Sequence, residues 1–248
     1  MSISIKNDAQ IAYMREANQI VAKAHELLAK EVRAGVTTKE LDGLAEEFIL
    51  SQGATPSFKG YNGYPASICV SVNEEVIHGI PGLRKLEDGD IVSIDIGAYK
   101  NGYHGDAART HAVGQVSEED QRLIEVTRQS FFEGIALAKA GGHLHQIGAA
   151  IEDYVAGFGY TCVRDYIGHG IGRDMHEAPE IPNYHMPSRG PRLYAGMTLA
   201  IEPMVNAGGW EITLLRDNWT VVTKDGKKSA HYENTILVTD GAPEILSL

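Results

Sequence analysis

Apolar side chains at Ile11, Met14, Ala17, Val21, Ala24, Leu28 and Val32 recur every three or four positions, which predicts a long amphipathic helix over residues 8–33. Ala34-Gly35 ends it. Thr37-Thr38-Lys39-Glu40 then has the spacing of a capping box, so a second helix carrying Leu41, Leu44, Ala45 and Phe48 starts there and stops at Gly53. The same order returns later in the chain. Residues 117–140 form another long helix with Leu123, Ile124, Phe131 and Ile135 on its apolar side. Ala140-Gly141 answers Ala34-Gly35, Ile147 answers Leu41, Tyr154 answers Phe48, and Gly159 answers Gly53. Strand-like runs follow each helix pair: residues 67–72, 91–96 and 107–113 after the first, and 199–201, 219–223 and 232–239 after the second. Helices grouped in pairs with strands after each pair predict an α+β fold, with helices on one side of a curved, mainly antiparallel sheet. No Pro/Ser linker divides the chain. The expectation is one domain over residues 1–248, made of two similar halves of roughly 8–115 and 116–248.

Composition narrows the function classes. With 248 residues, 43% hydrophobic and 22% charged, the chain reads as an ordinary soluble globular protein. No apolar run approaches the ~20 residues of a membrane span, and the first residues lack the basic flank and apolar core of a secretory signal; a cytoplasmic location is expected. A net charge of −11 argues against a general DNA-binding surface, which needs clustered Lys and Arg. The compact basic patch Lys224, Lys227 and Lys228, around Asp225-Gly226, reads as a solvated hairpin tip. Cys69 and Cys162 are too few for a disulfide scaffold or a thiolate zinc site, and read as free buried thiols.

Against this background five residues stand out. Asp95 lies inside the apolar run Ile91-Val92-Ser93-Ile94-Asp95-Ile96-Gly97. Asp106 follows across a turn containing Lys100-Asn101-Gly102, which would return it beside Asp95. His169 sits within Gly168-His169-Gly170-Ile171-Gly172. Glu202 closes Met197-Thr198-Leu199-Ala200-Ile201, and Glu233 interrupts the stretch over residues 229–238. A buried, unpaired carboxylate is very costly, and two brought together repel unless a cation lies between them. Each alone has an ordinary explanation: a bond to loop amides, a satisfied core histidine, or a pair with Arg109, Arg173 or Arg216. Together, four carboxylates and one imidazole point to a shared metal site. Two divalent ions would neutralise the four negative charges, and the hard, oxygen-rich set suits Mn, Fe, Co or Zn. The ligands come from both halves, which places the metal at the seam. The glycine run is not a dinucleotide fingerprint, because Arg173 stands where its last glycine would be, and His176-Glu177 is not a zincin helix motif.

With Gly60-Tyr61-Asn62-Gly63-Tyr64-Pro65, His78-Gly79-Ile80-Pro81, Ile94-Asp95-Ile96, His104-Gly105-Asp106, the glycine run around His169, residues 197–203 and His231-Tyr232-Glu233-Asn234-Thr235, nearly the whole chain resembles the short bacterial type I methionine aminopeptidases. That resemblance implies the internally duplicated "pita-bread" fold and removal of the initiator methionine from nascent polypeptides whose second residue is small, through a hydroxide bridging two metals. It implies that Asp95 chelates one ion, that Asp106 and Glu233 bridge both, and that His169 and Glu202 complete the second. Glu202 would also shuttle a proton, His176 would steady the oxyanion, and His78 would bond near the scissile amide. Tyr61, Tyr64, Cys69, His78 and Trp219 would line the methionine pocket, with Phe58 and Met175 at its more variable positions. Cofactors would be two divalent ions (Co, Mn, Fe, Zn or Ni) and a monovalent cation (Na or K) near Asn73 and Ser229. A monomer is expected, with ribosome contact left open. The zinc-binding extension of eukaryotic type I forms and the type II insertion are not seen. Two rivals remain: an aminopeptidase P or prolidase relative, which usually carries an extra N-terminal domain, and a metal-free binding module, which would be expected to have lost ligands.

Overall fold

In the computed structural model, which describes residues 2–248, both helix pairs are present. α1 spans Asp8–Glu31 and α2 Thr38–Ser51, while α3 spans Glu118–Ile135 and α4 His145–Gly157. Both N-termini of the first pair close as capping boxes. Gln10 N donates to Asn7 Oδ1 at 3.0 Å and Asn7 N to Gln10 Oε1 at 2.9 Å; Glu40 N donates to Thr37 Oγ1 at 3.1 Å and Thr37 N to Glu40 Oε2 at 2.7 Å. The repeat extends to backbone conformation. Gly35 (φ 92°) and Gly141 (φ 89°) are both left-handed, as are Gly53 (φ 63°) and Gly159 (φ 81°). Side chains are strained in that region, so these glycines turn the chain after equivalent helices in both halves.

Two sequence expectations are trimmed. The helix expected to reach residue 140 ends at Ile135. There Leu137 N bonds Gly134 O at 3.1 Å and Ala138 N bonds Ile135 O at 2.9 Å, the tighter spacing of a helix terminus. The expected strand over 232–239 is shorter, Asn234–Leu237, and Tyr232-Glu233 part it from a separate preceding strand, Ser229–His231. Lys228 of the basic patch is not free: its Nζ lies 2.9 Å from Asp120 Oδ2 and 2.9 Å from Gly89 O.

The strand pairs that build the site are antiparallel. Ile91–Lys100 runs between Ile68–Val72 and Tyr103–Ala112 in the first half. In the second half Asn234–Leu237, Thr198–Ile201, Gly168–Gly170 and Glu177–Ile181 lie side by side in that order. The halves join where Glu233 N donates to Ala108 O at 3.0 Å and Ala108 N to Glu233 O at 3.3 Å. Each half has its own core: Val21, Leu28, Leu41, Ile49, Ile94 and Ile96 in one, and Phe131, Ile147, Ile151, Leu199, Ile201 and Ile236 in the other. A further apolar cluster, including Met14, Phe58, Tyr64, Ile171 and Met175, draws on both. Among the described residues no helix is long and apolar enough to cross a membrane.

Gly105 shows how tightly α1 holds the seam. A Cβ there would meet Asn18 N at 2.7 Å and Ala17 C at 2.8 Å, both backbone atoms that cannot swing aside. Asn18 Oδ1 in turn accepts from Asp106 N at 3.3 Å. Gly105→Ala is therefore expected to lose about 1–3 kcal/mol of stability through overpacking. Thermal denaturation checks it; an unchanged Tm would mean that α1 does not press on this strand.

Candidate metal centre and substrate cavity

Strand register brings the acidic residues together. Asp95 faces Ala108 across one pair, and Gly97 faces Asp106. The turn thus returns Asp106 diagonally beside Asp95, two residues from a direct pairing, and on the same face of the pleat. Ala108 pairs in turn with Glu233, so Asp95, Ala108 and Glu233 form one row, with Asp106 a step along. Gly97 is needed here, since a Cβ would come within 2.7 Å of Phe58 Cε1 and Ser57 Cβ.

His169 enters from the second half. It faces Ala200 on one side and Glu180 on the other, which explains its flanking glycines. A Cβ on Gly168 would lie 2.5 Å from Ala200 O, and one on Gly170 would lie 2.3 Å from Ala178 O. The His169 Nδ1–H donates to Gly170 O at 2.9 Å, which leaves the Nε2 lone pair free. Nε2 lies 3.5 Å from Glu202 Oε1 and 3.8 Å from Asp106 Oδ2. Asp106, His169 and Glu233 each offer a ligand atom, and these atoms all lie within 4.8 Å of one another. Asp95 and Glu202 adjoin this trio and line the same cavity.

The electrostatics are those of a site built for a cation. Burial raises Asp95 to about 7. Burial, then the neighbouring Asp95 and Glu202, holds Asp106 well above the carboxylate range. Glu202 is raised by burial and Asp95, and Glu233 by burial and then Asp106, Glu202 and Asp95. Asp95 Oδ1, Asp106 Oδ1 and Glu233 Oε1 are buried without a hydrogen-bond partner. Among the described residues none of the four carboxylates forms an ion pair with Lys or Arg. Arg109 bonds the backbone oxygen of Glu233 and Asn234 Oδ1 (2.6 Å), not the Glu233 carboxylate, and Arg173 lies over the Tyr103 ring at 5.0 Å. Orphaned carboxylate oxygens beside a neutral imidazole fit divalent metal with hard or borderline preferences.

These groups open onto a cavity of about 330 Å³. Every candidate ligand, acid–base and methionine-pocket residue lines it: Asp95, Asp106, His169, Glu202 and Glu233, with Phe58, Tyr61, Tyr64, Cys69, His78, Met175, His176 and Trp219 around them, whereas Asn73 and Ser229 lie outside it. The Tyr64 and Trp219 rings meet edge-on at 5.1 Å, and His78 packs edge-on against Tyr166 at 5.5 Å. His176 packs tilted against His169 with centroids 4.2 Å apart, and its Nδ1 lies 2.8 Å from Tyr61 Oη. Burial, then His176, lowers His78 to about 4, and burial lowers His176 as well. Burial, then Asp95, pushes the Cys69 thiol well up, so this buried free cysteine is an apolar wall and not a nucleophile.

Sequence reasoning missed several features. Asn62, Ile77, Asp165, Tyr166 and Ile167 also line the cavity; the run just before Gly168 was the available signal. His78 has a left-handed backbone (φ 58°), costly for a residue other than glycine and typical of functional sites. Buried His231 brings Nε2 to 3.8 Å from Glu202 Oε2.

A sequence profile described as metallopeptidase family M24 matches residues 12–240. The chain belongs to this family. Its M24 relatives include a methionine aminopeptidase of Clostridium acetobutylicum, 57% identical over 99% of both chains, and methionine aminopeptidase 1 of Bacillus subtilis, 56% identical over 99% of both. Among solved structures, the methionine aminopeptidase of Rickettsia prowazekii superposes with a TM-score of 0.98 at 41% identity over 100% of both chains. The prolidase of Pyrococcus furiosus, at TM-score 0.80 and 24% identity over 98% of this chain and 65% of its own, shares the M24 pita-bread fold alone.

Proposed function

We propose that this M24 chain is a metal-dependent aminopeptidase that removes the N-terminal methionine from polypeptides with a small second residue. The observation that carries this reading is the set of partnerless, buried carboxylates on the floor of an apolar cavity rimmed by two uncharged histidines. High identity to proteins named methionine aminopeptidases over nearly the full chain supports the substrate class.

Asp95, Asp106, His169, Glu202 and Glu233 would hold two divalent ions. When bound, such ions acidify water toward pKa ~7 and polarise a carbonyl. The protein's own groups do the rest. Glu202 takes the proton of the attacking water on a carboxylate oxygen and passes it to the leaving amine nitrogen. If Tyr61 donates to His176 Nδ1, the remaining hydrogen sits on Nε2, aimed to bond the oxygen on which negative charge develops. His78, which also lines the cavity, bonds the scissile amide. Tyr64, Cys69 and Trp219, with Phe58 and Met175, give a sulfur-tolerant apolar pocket for the methionine side chain. Trp219→Ala should raise KM for Met-Ala-Ser roughly tenfold, the scale of a lost apolar contact, with a smaller change in kcat; steady-state kinetics with both parameters unchanged would remove Trp219 from the pocket.

The proposal extends to a cytoplasmic monomer acting on nascent chains, using Co, Mn, Fe, Zn or Ni. The ribosome is a candidate partner. A Na or K ion beside Asn73 and Ser229 would be structural; Ser229 N donates to Asn73 O at 2.9 Å there. One assay separates the main reading from its rivals. Met-Ala-Ser and an X-Pro peptide are incubated with the protein, with and without chelator. Release of methionine from the first only, lost on chelation and restored by metal, is expected. Preferential X-Pro cleavage, or activity indifferent to chelation, would overturn the proposal.

A further inference from the structure

We infer that the ion pair between Lys6 and Glu177 is a positioning device for His176; the inference rests on the aminopeptidase reading above. Lys6, just ahead of α1, is buried, and its Nζ donates to Glu177 Oε2 at 2.6 Å, with side chains only 3% and 14% exposed. The other oxygen of the same carboxylate, Oε1, accepts from Arg173 N at 2.8 Å and Asp174 N at 3.4 Å. Glu177 therefore closes the short loop that carries Met175 and His176 into the cavity.

Both ends of this clasp are fixed. Lys6 N donates to Gly196 O at 2.8 Å, and Gly196 N to Val238 O at 3.0 Å, which ties Lys6 to the second-half sheet. Gly172 lies directly against the pair: a Cβ there would come 2.5 Å from Glu177 Oε1, 2.7 Å from Lys6 Cε and 2.9 Å from Lys6 Nζ. The last glycine of the run around His169 is thus accounted for by the clasp and not by the metal centre. His104 N, from the strand that carries Asp106, donates to Gly172 O at 2.9 Å, so the loop is referenced to the metal-side strand as well.

A buried ion pair adds little net stability, because desolvation offsets its attraction. Its use here is geometric. On its cavity side His176 shares a hydrogen bond with the partly exposed Tyr61 and makes ring contacts with Tyr61 and His169. From behind, the neighbouring Glu177 sets where the loop, and hence the imidazole, can sit. A hydrogen-bond donor to a developing oxyanion works only when held in place beforehand, and displacement by about 1 Å from a remote change can cost up to about a hundredfold in rate.

The test is a double-mutant cycle in the metal-loaded protein. Rates on Met-Ala-Ser and thermal midpoints are measured for wild type, Lys6→Met, His176→Ala and Lys6→Met/His176→Ala. Lys6→Met should lower kcat by about 10- to 100-fold with little change in KM, yet have almost no further effect on kcat once His176 is Ala. The ¹⁵N imidazole resonance of His176, identified by its loss in His176→Ala, should shift in Lys6→Met. If Lys6→Met does not fold, Glu177→Gln breaks the pair while keeping an oxygen for Arg173 N, and the same cycle applies. Wild-type kcat in the folded variant, or an equal fold-loss in both backgrounds, would overturn the positioning role. Absence of Met-Ala-Ser cleavage by wild type would instead defeat the proposed function itself.

Discussion

Glu233→Gln is expected to lower kcat/KM for Met-Ala-Ser by at least about a thousandfold and to leave the protein unable to retain its full complement of metal. Groups that merely orient metal ligands already cost 10–100-fold when removed, and loss of the ions returns water toward its free acidity. Asp106→Asn should behave alike, because Asp106 and Glu233 both belong to the tight trio with His169. The stability effect should have the opposite sign. Glu233 Oε1 has no partner, and its charge is opposed by Asp106, Glu202 and Asp95. Removing that charge from the metal-free protein should raise its Tm at neutral pH, since an uncompensated buried charge is costly. Metal analysis by mass spectrometry, kinetics and thermal melts on one preparation read all three effects. A variant with wild-type metal content and rate would take Glu233 out of the centre.

The second large effect concerns metal and pH together. In the metal-free fold all four carboxylates titrate above their ordinary range, Asp95 at about 7. A carboxylate whose folded pKa lies above its unfolded value binds more protons in the native state between the two. Its contribution to stability is present below the unfolded pKa of ~4 and is lost as pH rises through the folded value. For Asp95 that loss falls between about pH 4 and 7. Metal binds the deprotonated groups and removes the penalty. The Tm difference between metal-loaded and chelator-stripped protein should therefore widen steadily from pH 4 to above 7. Comparing the two forms cancels buried histidines remote from the centre, such as His25, whose pKa burial drives well below normal in both. A difference that is flat or shrinks as pH rises would contradict the assignment of these carboxylates to the metal.

Much of this was legible in the sequence because its signals are local. Capping boxes at Asn7–Gln10 and Thr37–Glu40 need only the few residues around them, although only the second was singled out. The glycines ending equivalent helices mark the duplication for the same reason. The candidate metal ligands could be named because each sits where a carboxylate or imidazole is expensive. Neither spacing nor periodicity named His78, His176 or the methionine pocket; those came from family resemblance. What stayed hidden depends on contacts between distant segments. The Ala108–Glu233 bonds that stitch the halves, the left-handed backbone of His78 and the approach of His231 to Glu202 leave no periodic trace. The glycines around His169 were visible as a motif, but their cause is the neighbouring backbone at Ala200 O and Ala178 O, which only tertiary structure supplies. Nothing local marks Lys6, because its partner Glu177 lies 171 positions along the chain.

The most direct test of a metal centre assembled from both halves is anomalous diffraction from crystals of the protein loaded with Mn or Co. Two peaks are expected within coordination distance of Asp95, Asp106, His169, Glu202 and Glu233, with Asp106 and Glu233 touching both. Metal bound elsewhere, or these carboxylates paired with Lys or Arg around an empty centre, would contradict the account.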